Sequence, residues 1–156
     1  TIVVDAVLDQ QVEVGADSSE SVSESASSQS IGLGLDSSIV SAGFTGSLDG
    51  GADTDNSEVT TITITLDAAL PNGASLSSSA GTISGTGPSY TLTVANGSTA
   101  EDAIDGLSVS VPGGYDGTIS GTVSVTSQEA NTPAGGDASE PDITDNTRTD
   151  SATFSV

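Results

Sequence analysis

The feature that most constrains the fold of this chain is an alternation of apolar and polar residues in five short segments. In residues 61–66, 89–94, 107–111, 118–125 and 152–156, Val, Ile, Leu, Tyr or Phe alternates with Ser, Thr or Gly. Such a period of two is typical of half-buried strands in an antiparallel sheet, because successive side chains point to opposite faces. Turn-forming residues, such as Pro71-Asn72-Gly73 and Asn96-Gly97, separate the segments. The pattern therefore predicts an all-β fold.

About seven short antiparallel strands with regular turns favour a Greek-key β-sandwich, and a barrel is the alternative that the pattern leaves open. One short helix is predicted at residues 99–106, with Ser98 or Thr99 as its N-cap and acidic residues in its first turn. A chain of 156 residues suits one domain. We assign residues 11–156 to that domain and residues 1–10 to a linker from a preceding module.

The charge of the chain excludes several classes of function. Its 22 acidic residues face a single basic one, Arg148, which gives a formal net charge of −21. Nucleic acids and anionic membranes need a basic surface, so neither is expected as a partner. No apolar run approaches the roughly 18 residues of a membrane span, so no membrane insertion is predicted, and any export signal is expected elsewhere in a larger protein.

The residue inventory also argues against an enzyme. The chain has no His, no Cys and no Lys, so it has no Ser-His-Asp arrangement, thiolate nucleophile or Schiff base. A pair of carboxylates could hydrolyse a glycoside, but sugar clefts are rich in aromatic residues, and this chain has two Tyr, two Phe and no Trp. We predict a protein that is not an enzyme.

The remaining metal ligands are oxygen atoms, which suit Ca²⁺. The segment with the clearest metal-ligand pattern is DTDNSE, directly before a predicted strand. Its Asp53, Asp55 and Glu58 can fold around one hard cation. It lacks the glycine and the flanking helices of an EF-hand. The alternative is a solvated acidic turn.

Two further groups of acids are candidate calcium ligands. The first comprises Glu129, Asp142, Asp145 and Asp150, which lie after one predicted strand and before the last one, so that the strand ends could gather them at one pole. The second lies near the N-terminal junction and comprises Asp5, Asp9, Glu20 and Glu24. The alternative for both groups is scattered surface charge that keeps the protein in solution.

Several segments resemble the tandem repeats of giant RTX adhesins. They are VDAV at 4–7, SESA at 23–26, DTDNSE at 53–58, LPNGASL at 70–76, PGGYDGT at 112–118 and the closing segment 150–156. They follow the order of that family, whose repeats carry an LPAGATL turn and a PxxYxGT stretch. The chain departs from the family in its extra residues at 36–51 and 131–146, and in the serines that flank Glu24.

The resemblance implies an Ig-like or cadherin-like β-sandwich, exported by type I secretion to a Gram-negative cell surface and stiffened by calcium. It implies calcium ligands at Glu24, Asp53, Asp55, Glu58 and Glu129, and an acid, Asp150, before the closing strand. Two functions follow from it. The chain is either an extender that holds a distal binding region away from the cell, or a tip module that binds a peptide or sugar through its inserted loops. A monomer in contact with neighbouring modules of the same adhesin is expected.

Overall fold

A computed structural model describes residues 10–14, 18–41, 44–45, 58–129 and 147–156. These residues form twelve strands and one helix. The strands are β1 (Gln10–Val14), β2 (Ser18–Ser19), β3 (Gln29–Gly32), β4 (Ser37–Ser41), β5 (Phe44–Thr45), β6 (Glu58–Leu66), β7 (Ser75–Ser78), β8 (Gly81–Thr86), β9 (Ser89–Val94), β10 (Leu107–Val111), β11 (Ser120–Glu129) and β12 (Thr147–Ser155). The helix is α1 (Ala100–Asp105).

Nine strands form one continuous curled sheet in the order β2-β12-β11-β6-β9-β8-β7-β10-β3, and β1, β4 and β5 form a second sheet in the order β1-β4-β5. Every pairing is antiparallel except that of β2 with β12. The all-β prediction is confirmed. The expected number of about seven strands is wrong, since twelve are present among the described residues.

The core lies on one face of the large sheet, and the alternating segments supply it. In β6 the buried residues are Ile62, Ile64 and Leu66, while their neighbours Thr61 and Thr65 are exposed. Strands β9, β10, β11 and β12 follow the same rule. The largest fully buried side chains outside β6 are Phe154, Leu33, Ile104, Leu107, Val109, Val123 and Val125. Because strands from both halves of the sheet bury residues in this one cluster, the sheet curls around it.

The small sheet and the helix cover this face. Strand β1 contacts β11 and β12, and α1 contacts β4 and β9. The helix begins as predicted: the Thr99 side chain accepts a hydrogen bond from the Asp102 amide at 2.9 Å, and the Asp102 side chain accepts one from the Thr99 amide at 3.2 Å. This reciprocal capping box fixes the first turn of α1. Ala103 and Ile104 then face the core and are fully buried.

Candidate functional site

Three strand ends meet at one end of the large sheet. Strand β6 begins at Glu58 and β11 ends at Glu129, and these two residues are direct partners in the antiparallel register. Strand β12 begins at Thr147, which pairs with Gln128. We call this region the Glu129 end. The sequence pattern groups Glu129 with Asp142, Asp145 and Asp150, and Glu58 with Asp53 and Asp55; the register instead places Glu58 directly opposite Glu129.

This acidic pair continues a series of paired rows that begins in the core. Along β11 and β6 the paired rows are Val123 with Ile64, Val125 with Ile62, Ser127 with Thr60, and Glu129 with Glu58. The first two rows are buried in the core. Directly opposed residues have Cα atoms about 4.5–5.5 Å apart, and like charges at such positions destabilise a sheet unless a positive charge compensates them.

The one basic residue of the chain lies in the next row. Arg148 of β12 pairs with Ser127 of β11, and Asp150 pairs with Val125. Three carboxylates at positions 58, 129 and 150 against one guanidinium leave a formal charge of −2 at this end of the sheet. One divalent cation would neutralise this remaining charge, which Arg148 leaves uncompensated.

Asp150 has a definite partner in the structure. The Val14 amide donates a hydrogen bond to Asp150 Oδ2 at 2.6 Å, which ties β1 of the small sheet to β12 of the large one. The expectation that Asp150 precedes the closing strand is wrong, because β12 already begins at Thr147. The strand starts earlier because residues 147–149 continue the ladder with β11 although they lack an apolar alternation.

A buried polar atom lies between the acidic pair and the core. Ser127 is fully buried, and its hydroxyl has no hydrogen-bond partner within the part of the chain that the structure describes. An unsatisfied buried hydroxyl is costly, so such a group normally has a partner. Carboxylate and hydroxyl oxygens are ligand types that Ca²⁺ accepts.

The other predicted ligands divide into two groups. Asp5, Asp53, Asp55, Asp142 and Asp145 lie outside the described residues, as does Asp9. Among the described residues, no three acidic groups are arranged to hold a metal ion.

Glu24 lies elsewhere. It is exposed and lines a cavity of about 460 Å³ beside Ser155 and Val156, at the opposite end of β12. Glu20 and Asp116 line the same cavity. Asp116 was not a candidate from the sequence, because no local pattern connects it with residues almost a hundred positions earlier. The structure thus separates Glu24 from the acids of the Glu129 end.

No protein-family model, curated protein or solved structure matches this chain. In the described residues, no helix is long and apolar enough to cross a membrane. The candidate site is accordingly defined by the register of β6, β11 and β12 and by the contact of Asp150 with Val14.

Proposed function

We propose that this chain is a calcium-stabilised extender module of a large bacterial surface adhesin, with an Ig-like or cadherin-like core arrangement and no catalytic role. The observation that supports this most is the register that opposes Glu58 and Glu129 on two neighbouring strands of the large sheet. A fold that depends on such a pair is poorly stable without a cation and stable with one. This is the behaviour expected of a module that must fold only after export into a calcium-rich medium.

The physical reason lies in charge and core size. A formal charge of −21 opposes compaction, and only 33% of the residues are hydrophobic. A cation that binds the folded state alone stabilises it by about 2.7 kcal/mol when its free concentration is a hundred times the dissociation constant. Calcium can thus contribute a large fraction of the about 5–15 kcal/mol that separates folded from unfolded domains.

The geometry of β12 suits a spacer. This strand runs from the Glu129 end to the last residues of the chain, a length of about 26 Å for nine residues. Val156 exchanges two backbone hydrogen bonds with Ile119, at 2.8 and 2.9 Å, so this end of β12 is held in place. A rigid domain of this kind can transmit an orientation to a neighbouring module.

The alternative function is a tip module that binds a peptide or sugar of a host or surface through the inserted segments 36–51 and 131–146. Most of these residues lie outside the described part of the chain. The parent gene discriminates between the two functions: an extender is repeated many times, whereas a tip module occurs once.

Small-angle scattering of a protein with two copies of this chain in tandem tests the extender role. We expect a rod-like particle with a fixed maximum dimension in saturating calcium, and a wider distribution of dimensions in chelator. Circular dichroism on the same samples separates bending from unfolding. A tandem protein that bends freely in saturating calcium while each module stays folded would contradict the spacer function.

A further inference from the structure

The cavity beside the end of β12 lies between the two edges of the large sheet. Ser19 of edge strand β2 and Gln29 and Ile31 of edge strand β3 line it together. Among the described residues, neither β2 nor β3 has a strand neighbour on its outer side. The curled sheet therefore fails to close here, and we call the cavity between these two edges the seam.

Backbone hydrogen bonds hold the walls of the seam in place. The Glu20 amide donates to the Ser155 carbonyl at 2.8 Å on one side, and the Gly114 amide donates to the Ser25 carbonyl at 2.8 Å on the other. Gly113 lies so close to the Ala26 carbonyl that a β-carbon at position 113 would be 2.2 Å from its oxygen. The seam is thus a formed cavity of the folded domain, and a ligand would not have to create it.

The seam combines apolar walls with an acidic rim. Ile31, Val111 and Tyr115 are apolar or aromatic wall residues, and Val22 is 52% exposed at the opening. Val22 is one of only two large hydrophobic residues that are exposed among the described ones. Glu20, Glu24 and Asp116 also line the cavity and are all exposed. Such a lining matches a side chain that has an aliphatic stem and a positively charged head.

Lysine and arginine have this shape, since their apolar stems pack on apolar surface while the charged head stays near water and carboxylates. The Tyr115 hydroxyl donates to the Thr118 carbonyl at 3.4 Å, and its half-buried ring offers a face for a cation. A volume of about 460 Å³ lies within the range of about 300–1,000 Å³ that is typical of ligand pockets. It can hold a few side chains of a peptide.

We propose that the seam binds an extended, lysine- or arginine-containing peptide segment of a partner protein. The two open strand edges offer backbone groups to an extended chain, which is the usual way in which a sheet binds a peptide. A second copy of this chain is a poor occupant, because it carries the same charge of −21 and a single basic residue. The proposal does not rest on the candidate calcium site, because neither Glu58 nor Glu129 lines the seam.

The test uses fluorescence anisotropy with a labelled ten-residue peptide of alternating Lys and Val, in calcium and at physiological salt. The seam variant is Glu20→Gln/Glu24→Gln/Asp116→Asn. The matched control is Asp67→Asn/Glu101→Gln/Asp105→Asn, which changes the net charge equally at residues that do not line the seam. We expect the seam variant to bind at least about tenfold more weakly, because three ion pairs are lost, and the control to stay within about twofold of the parent chain.

A second variant, Val22→Ser, tests the apolar part and is expected to weaken binding several-fold. Circular dichroism and thermal melts verify that each variant is folded. If the control weakens binding as much as the seam variant does, the peptide is attracted only by the overall charge, and the proposal is wrong. Full affinity in Val22→Ser, or equal affinity for a peptide of alternating Glu and Val, would also overturn it.

Discussion

The two ends of β12 use acidic residues in opposite ways. At the Glu129 end, Glu58 and Glu129 occupy opposed positions on central strands, in the rows that continue the buried core. At the seam, Glu20, Glu24 and Asp116 are exposed around a cavity between two sheet edges. The residue types are the same. The neighbouring strands and the access of water differ.

This difference decides what the negative charge can do. Exposed charges are screened by water and salt, so they contribute little to stability and act mainly by attracting or rejecting partners. Like charges at directly opposed strand positions repel each other, so they destabilise the fold until a cation or a basic residue compensates them. We therefore expect calcium to act on folding at the Glu129 end and a basic ligand to act on binding at the seam.

The largest expected effect is on calcium-dependent stability. In chelator, the parent chain should melt about 5–10 °C lower than in saturating calcium for each ion lost. The double variant Glu58→Gln/Glu129→Gln should show a much smaller calcium response. In chelator it should melt about 1–3 °C above the parent chain, because the opposed like charges are gone. Differential scanning calorimetry of both proteins in both conditions measures this crossover.

The seam variant Glu20→Gln/Glu24→Gln/Asp116→Asn is the control for this experiment. Its calcium response should equal that of the parent chain, since its three exposed carboxylates lie at the other end of β12. An equal loss of the calcium response in both variants would mean that calcium binds diffusely to the acidic surface. The contrast between the two ends would then be wrong.

The strands that sequence reasoning predicted best are those with several alternating apolar residues. Strands β9 and β10 have the predicted boundaries, and β6 extends the predicted segment only to Glu58. Strands β7 and β8 were missed because each contains a single large apolar residue, Leu76 or Ile83, and one residue cannot show a period. Pairing with neighbouring strands of the sheet stabilises β7 and β8, although their own sequences do not predict them.

The candidate sites could be predicted only in part, for a related reason. Alternation and spacing indicated that Glu129 would lie at a strand end, but they assigned Glu58 to a different group of acids and did not predict that the two residues pair. The seam could not be foreseen, because it depends on how far the sheet curls and on the two-residue strand β2, which pairs in parallel with β12. Sequence placed Glu20 and Glu24 near a junction, whereas the fold places them beside Asp116.

A smaller effect is expected from the link between the two sheets. Asp150→Ala removes the hydrogen-bond acceptor of the Val14 amide, and Val14 is buried. The variant should therefore lose about 1–3 kcal/mol of unfolding free energy, even in chelator. Asp67→Ala is the matched control: Asp67 is exposed and accepts a hydrogen bond from the Ser120 hydroxyl at 2.5 Å, so its loss should cost less. Urea unfolding measures both. If Asp150→Ala loses additional unfolding free energy only when calcium is present, Asp150 is also a calcium ligand. Equal unfolding curves for the two variants would refute the proposed contribution of the Asp150–Val14 hydrogen bond.

The smallest expected effect concerns Ser127, and it distinguishes a cation site from ordinary strand pairing at the Glu129 end. Its buried hydroxyl has no partner among the described residues, so Ser127→Ala should leave the melting temperature in chelator unchanged or slightly higher. If the hydroxyl instead belongs to the shell of a bound ion, the same variant should bind calcium several-fold more weakly by calorimetry. Ser124→Ala, on the other face of β11, should change neither quantity. If Ser127→Ala is destabilised equally with and without calcium, the hydroxyl bonds to the protein itself. The repulsion between Glu58 and Glu129 would then be compensated without the Ser127 hydroxyl.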